Sequence, residues 1–147
     1  MVDLRSKFPG SKATPRSDLG LFTNQFPDEA TPPHSNPVRP SYFFKVRGAQ
    51  WFDYVVLKDG SLVLGERTVG QGHANLALGQ PARAAGQVSV SGGRIIEVDN
   101  ASGHYLPTGP SAGDNAIQAF RTSGFSISDS AFVEKTWNAR LMLWEPI

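Results

Sequence analysis

Two hairpins dominate the pattern of apolar and polar positions in the middle of the chain. Apolar residues fill most of positions 51–57 and return at 61–66, and residues 58–60 between them are Lys-Asp-Gly. Asp-Gly between two apolar runs is one of the strongest short-range signals for a β-hairpin. A second pair of apolar runs, at 87–90 and 94–99, flanks a Ser-Gly-Gly turn. The pattern therefore predicts four antiparallel strands in the centre of the chain.

Three further strands are expected outside these hairpins. Residues 42–46 are aromatic and β-branched apart from one lysine, which indicates a strand before the first hairpin. Residues 131–137 and 140–144 predict two closing strands. We expect about six of these seven segments to form a mainly antiparallel sheet.

Helical spacing occurs at two places. Residues 114–121 have the spacing of an amphipathic helix, with Ser111 as a candidate cap and Gly124 as a candidate stop. Residues 73–78 favour a short helical turn that Gly79 closes. Together with the strands, one main helix on the sheet defines an α+β domain.

The first 40 residues form a different region. Seven of the 11 prolines fall there, and proline interrupts both long helices and central strands. Several aromatic and leucine residues in this region indicate that it packs on the rest of the protein. We therefore predict an irregular, proline-rich arm at 1–40 and an α+β domain at 41–147.

Composition excludes several classes of function. The chain of 147 residues has the length of one domain, and its net charge of +1 gives no overall basic field and no signal for DNA binding. The absence of cysteine excludes disulfides, thiolate nucleophiles and cysteine-ligated metals. No apolar run approaches the roughly 18 residues of a membrane span, and residues 1–10 lack the apolar core of a signal peptide. If the protein is secreted, we expect the targeting signal on a longer parent protein or a secretion machine.

The stretch from Gly72 to Pro107 is the most distinctive part of the sequence. Its blocks GHANLALGQP, AAGQV and GRIIEVDNASGHYLP resemble the pattern GHxxLAxG…AGE…GxIxxIDNxSGHYxP of C-terminal toxin modules in bacterial polymorphic, Rhs-type toxins. The resemblance extends over residues 53–137. Gln87 stands where that family more often has glutamate, which argues against an essential acid at this position.

This resemblance implies a role. It suggests an effector or toxin module that a larger secreted protein delivers into the cytoplasm of a target cell, where it serves competition between bacteria. A cognate immunity protein is the partner expected in the producing cell. A shorter stretch, SGHYLPT, also resembles a segment of plant calmodulin-binding proteins, but their IQ motif is absent from this chain.

The SGHY segment is the first candidate site. Asn and Ser side chains bind nearby backbone, Gly103 is suited to a turn with positive φ, and Pro107 ends the strand. Such a turn presents His104 and Tyr105 at a sheet edge. In the alternative interpretation, Asn100, Ser102 and His104 only stabilise the turn and Tyr105 packs.

Two histidines suggest the first chemical hypothesis, a metal-independent ribonuclease. His104 and His73 would serve as the acid–base pair, since an imidazole transfers protons near neutral pH. Tyr105 would assist, and a cation would stabilise the charged phosphorane. The candidate cations are Lys45, Arg47, Arg67, Arg94 and Lys135. His34, between Pro33 and Ser35, is interpreted as incidental.

The second hypothesis is an ADP-ribosyltransferase that acts on NAD. Arg47, Ser102 and Glu134 occur in the order that such a site needs, and NAD would be the cofactor in this case alone. A third hypothesis, from another class, is a non-catalytic binding module in which SGHY is a binding loop or a structural corner.

Other chemistries have little support in the sequence. No HxxxH spacing or acidic cluster indicates a metal site. No GxSxG motif indicates a serine hydrolase. Trp51, Trp137 and Trp144 are predicted to pack rather than to form a platform for bases.

Overall fold

A computed structural model describes residues 20–147. The first part of the predicted arm, residues 1–19, lies outside the described residues. The remainder of the arm lies along the sheet, where Phe22 exchanges two backbone hydrogen bonds with Ala82.

The described chain has the predicted α+β architecture, a mainly antiparallel sheet of six strands with one major helix. The strands of this sheet are β1 (Pro37–Val38), β2 (Ala49–Leu57), β3 (Leu62–Glu66), β4 (Ala82–Ser91), β5 (Arg94–Asp99) and β6 (Phe132–Val133). A separate hairpin contains β7 (Lys135–Asn138) and β8 (Leu143–Pro146), and the helices are α1 (His73–Ala77) and α2 (Pro110–Thr122). Neither helix is long and apolar enough to cross a membrane, and no other candidate occurs in residues 20–147.

The strand order is β1-β3-β2-β4-β5-β6, with every pair antiparallel except β5 and β6. The β2–β3 and β4–β5 hairpins form where the Asp-Gly and Gly-Gly turns predict them. Because β2 and β4 occupy the centre of the sheet, residues 52–56 of β2 are buried on both faces. This explains the nearly unbroken apolar run in β2.

Each face of the sheet has its own core. On one face Phe52, Tyr54 and Val56 of β2 pack beneath α2, where Phe120 is fully buried. On the other face Val55 packs with small residues of α1 and β4 and with the Tyr105 ring; the small residues are Ala74, Ala77, Ala82 and Ala85. The short helix α1, predicted as a helical turn at 73–78, thus covers the face of the sheet opposite α2.

The segment predicted as a strand at 42–46 is instead part of a 3-10 helix, Pro40–Lys45. Proline fixes φ at the start of the helix. Only Phe43 and Val46 of this segment are buried, and their spacing of three residues matches one 3-10 turn. A strand would have buried alternate residues, whereas Tyr42 and Phe44 are exposed.

Two other boundaries differ from the prediction. The closing segment divides at Glu134, so that β6 extends the main sheet and β7 pairs with β8, which begins at Leu143. Helix α2 starts at Pro110 after Gly109, and Ser111 therefore lies inside the helix rather than capping it. Proline is favoured at this first helical position because it has no N–H to leave unpaired.

A buried carboxylate joins β4, β5 and the C-terminal hairpin. Asp99 is fully buried, and its Oδ1 accepts the N–H groups of Gln87 at 2.8 Å and Ala101 at 2.9 Å. Its Oδ2 lies 2.9 Å from Lys135 Nζ, which also contacts Glu97 Oε2 at 2.9 Å. Burial lowers the pKa of Lys135, but the hydrogen bonds and charges of Glu97 and Asp99 outweigh burial and raise it overall. The lysine therefore stays charged.

Position 86 requires glycine, because the backbones of β4 and β5 approach each other closely at this junction. A Cβ at Gly86 would overlap with the backbone carbonyl of Asp99, which accepts the Tyr54 hydroxyl at 2.6 Å. The backbone of β5 can lie this close to β4 only where no side chain intervenes.

We expect Gly86→Ala to lower the free energy of unfolding by roughly 3 kcal/mol or more, because it overpacks a buried backbone contact and breaks the Tyr54 hydrogen bond. Urea unfolding measures the change. Gly103→Ala is the matched control, since a Cβ there meets no atom within 4 Å and should change stability by less than about 0.5 kcal/mol. Equal stabilities of the two variants would contradict the packing argument.

Candidate functional site

A cavity of about 470 Å³ opens beside α1. Strands β2 and β4 contribute Asp53 and Gln87 to its wall, and His73 contributes from the first turn of α1. Arg67 lies at its rim, and Trp144 of β8 lines another side. The cavity therefore brings a carboxylate, an imidazole, a guanidinium, an amide and an indole together.

Asp53 is the buried acid of this cavity. It pairs with Gly65 of β3 and Gln87 of β4, and its residue is only 6% exposed. Its contact with an ionisable group within residues 20–147 is with His73, whose Nε2 lies 3.9 Å from Asp53 Oδ1. A buried carboxylate is costly unless a cation or a hydrogen-bond donor compensates it. The position thus favours a positively charged neighbour or ligand.

The tautomer of His73 follows from its contact with the sheet. Its Nε2 lies 2.7 Å from the Gly86 carbonyl oxygen, which can only accept a hydrogen bond, so Nε2 carries a proton. In the neutral ring, Nδ1 then holds the lone pair and is the nitrogen that can take up a proton. The hydrogen bond to Gly86 thus fixes the orientation of the buried ring.

His34 is a second buried imidazole near Asp53. Its ring lies against Gly65, the residue opposite Asp53, and its Nδ1 accepts the N–H of Asn36 at 3.0 Å. In the neutral ring Nε2 therefore carries the proton, and this atom is buried without a hydrogen-bond partner in the described chain. Burial lowers the pKa of His34, the Asp53 charge raises it and His73 lowers it. The two histidines and Asp53 thus form an electrostatically linked group.

His104 has different neighbours from His73. Its Nε2 lies 3.0 Å from Glu29 Oε1, and its ring packs edge-on against Phe26 at 5.1 Å between centroids. The neighbouring Gly103 lines the cavity, whereas His104 is not among the lining residues. The contacts of the two predicted histidines therefore do not bring them together as a pair in this cavity.

Tyr105 and Ser102 are part of the frame of the turn. The Tyr105 hydroxyl donates to the Gln80 carbonyl at 2.6 Å, and burial raises the pKa of Tyr105 to about 12. Ser102 is 1% exposed, and its Oγ accepts the Tyr105 N–H. These contacts are the ones that the alternative interpretation expects, in which Ser102 stabilises the turn and Tyr105 packs.

The turn itself differs from the prediction for Gly103. The residue with positive φ is Leu106 (φ 43°), and its N–H donates to the Ser102 carbonyl at 2.8 Å. The prediction of a positive φ at Gly103 is wrong, because the chain forms one helical turn after Ser102 and reverses its φ only at the end. Asn100 supports this turn through its bond to the Pro107 carbonyl at 2.9 Å.

The three residues suggested for NAD chemistry do not line a common cavity among those described in residues 20–147. Arg47 is exposed just before β2, and Ser102 is buried after β5. Glu134 is exposed and lines a cavity of about 190 Å³ beside α2. None of the three cavities described in residues 20–147 is lined by two of them.

His73 and Arg67 are among the candidate site residues predicted from the sequence, but Asp53 and His34 are not. A usable signal existed for Asp53, because it is the one charged residue in the apolar run at 51–57 and would occupy a covered sheet. No local signal marks His34. Its burial depends on the packing of residues 34–36 over β3, which sequence pattern does not encode.

Comparisons of the chain with protein-family models, curated proteins and solved structures give no match. Within the described residues no group of three or more acidic or histidine side chains is arranged to hold a metal ion.

The linked group makes a prediction about His34. Asp53→Asn removes the charge that favours the protonated ring, so the pKa of His34 should fall further below its ordinary value of about 6.5. His73→Gln removes the opposing influence, so the same pKa should rise. NMR titration of the imidazole C–H signals measures both shifts. Asp129→Asn, an exposed carboxylate paired with Arg121, is the control and should leave His34 unchanged. Shifts of the same sign in the first two variants would refute the linkage.

Proposed function

We propose that this chain is an effector or toxin module of a larger secreted protein and that it cleaves RNA with Asp53 and His73 as its acid–base pair. The observation that carries the proposal is the meeting of these two buried side chains, 3.9 Å apart, at the wall of a cavity that Arg67 also lines. The role as an effector rests on the resemblance of residues 72–107 to polymorphic toxins.

The proposed chemistry is a transesterification within RNA. The Asp53 carboxylate, which only accepts hydrogen bonds when ionised, takes the proton of the 2′-hydroxyl. The 2′-oxygen attacks the adjacent phosphorus, the bond from phosphorus to the 5′-oxygen breaks, and protonated His73 donates its Nδ1 proton to that oxygen. The products are a 2′,3′-cyclic phosphate and a free 5′-hydroxyl. No metal ion takes part in this scheme.

Arg67 supplies the positive charge that this reaction needs. The phosphorane carries more negative charge on its oxygens than the ground state, and a fixed cation at the cavity stabilises the difference. Arg67 is exposed at the rim, whereas Lys135 is held by Glu97 and Asp99 on the other side of the junction. Of the cations considered in the sequence, Arg67 is therefore the best suited.

His104 has a structural role in this proposal. Its contacts with Phe26 and Glu29 tie the N-terminal segment to the SGHY turn, and the backbone adds a bond of 2.7 Å from Gln25 N–H to the His104 carbonyl. The ribonuclease hypothesis is thus kept, while Asp53 replaces His104 as the partner of His73. An immunity protein would neutralise the module by covering the cavity.

We expect a bacterium without an immunity gene to stop growing when it expresses this chain in its cytoplasm, because the protein degrades cellular RNA. His73→Ala and Asp53→Asn should each lower the rate of RNA cleavage by about 10²- to 10⁴-fold, the usual contribution of a general acid or base. Purified protein, assayed with EDTA and a short RNA, should yield 2′,3′-cyclic phosphate ends. Normal growth in the presence of folded protein would contradict the proposal.

His104→Ala distinguishes the two candidate proton-transfer pairs. It removes a half-exposed contact and should change the cleavage rate less than threefold and stability by no more than about 1 kcal/mol. Thermal melts and the same RNA assay measure both. Loss of activity in His104→Ala with an unchanged melting temperature would favour the original pair of histidines. Growth inhibition that survives all three substitutions would favour a non-catalytic binding module.

A further inference from the structure

Trp144 gives the cavity an aromatic wall. This residue lines the cavity together with His73 and Arg67, although its strand β8 belongs to the separate C-terminal hairpin. The ring packs edge-on against Trp137 at 5.7 Å between centroids, as expected for a cross-strand aromatic pair. Trp144 thus packs against Trp137, as the sequence predicts, and it also lines the cavity.

The hairpin that carries Trp144 is fixed to the body of the protein. Lys135 at the start of β7 is bound through its side chain to Asp99 and Glu97, and its backbone N–H donates to Asn100 Oδ1 at 2.6 Å. Its ammonium also lies 5.3 Å from the centre of the Trp51 ring. These contacts hold the indole in position before a ligand arrives, so ordering it costs little on binding.

The remaining wall offers groups for the other parts of a nucleotide. Arg67 can bind a phosphate, and the side-chain amide of Gln87 both donates and accepts hydrogen bonds, as the edge of a base requires. The cavity volume of about 470 Å³ lies within the usual range for small-ligand sites. An aromatic face, a cation and an amide in one cavity match a base joined to a phosphate better than either part alone.

We infer that the C-terminal hairpin forms the nucleotide-binding wall of this site, with a base stacked on Trp144 and the adjacent phosphate held by Arg67. The inference rests on the proposed ribonuclease function and names the part of the substrate that is bound. Stacking on an indole accepts any base, so the site takes single-stranded RNA with little preference for sequence. Trp144 touches the substrate but transfers no proton.

Binding of the four nucleoside 3′-monophosphates tests this inference without requiring turnover, because these compounds have no bond that the reaction cleaves. Calorimetry should show tighter binding of each 3′-monophosphate than of the nucleoside or inorganic phosphate. In NMR spectra the indole N–H signal of Trp144 should shift on titration, while those of Trp51 and Trp137 move less. Single substitutions assign the three signals.

Matched variants separate stacking from a general disturbance of the hairpin. Trp144→Ala should weaken nucleotide binding about 5- to 150-fold, the range that corresponds to loss of one stacked base. Trp144→Phe keeps an aromatic face and should recover most of the affinity. Trp137→Phe keeps the edge-on contact outside the cavity and should change affinity less than threefold.

The outcomes distinguish this inference from the proposed function. Nucleotide binding that depends on Trp144, in a protein that cleaves no RNA, would support the inference and refute the ribonuclease. RNA cleavage with nucleotide affinity unchanged in Trp144→Ala would support the ribonuclease and overturn the inference. Equal affinities for inorganic phosphate and the 3′-monophosphates would also overturn it.

Discussion

The buried Asp99 carboxylate is the interaction on which the rest of the structure depends. It binds the backbone of Gln87 and Ala101 on one side and the Lys135 ammonium on the other. Removing one partner of a buried ion pair generally costs about 3–5 kcal/mol, because the other charge is left uncompensated. Asn100, the next residue, completes the junction by bonding the backbone of Lys135 in both directions. Two adjacent polar side chains therefore join the sheet to the C-terminal hairpin.

The same junction builds two walls of the cavity. It fixes β4, whose Gly86 carbonyl orients His73, and it fixes the hairpin that carries Trp144. Asp99 is fully paired and has a structural role, whereas Asp53 is almost as buried and, within residues 20–147, has its ion-pair contact with the His73 imidazole at the longer distance of 3.9 Å. Proteins tend to accept such incomplete pairing where a ligand or a reaction uses it. The contrast between the two aspartates supports Asp53, and not Asp99, as the chemical group.

Much of the fold could be predicted because its signals are local. The Asp-Gly and Gly-Gly turns define the hairpins, and helical spacing predicts α2, which starts four residues before and ends one residue after the predicted 114–121. The segment at 42–46 was mistaken for a strand, because residue type alone does not reveal that only Phe43 and Val46 are buried. The site was harder to predict. His73 stands in a recognisable Gly-His segment, but its relation to Asp53 and His34 depends on the pairing of three strands and on packing over β3.

The SGHY motif belongs mainly to the frame of the site. Asn100, Ser102 and Tyr105 are buried and form hydrogen bonds that shape one turn. Of residues 100–105, Ala101 and Gly103 border the cavity. Arg67 and Trp144, which could contact a ligand, lie outside the stretch from Gly72 to Pro107, and Trp144 also lies outside the wider resemblance over residues 53–137. The motif thus shapes the turn that borders the cavity, and the chemistry must be argued from the cavity itself.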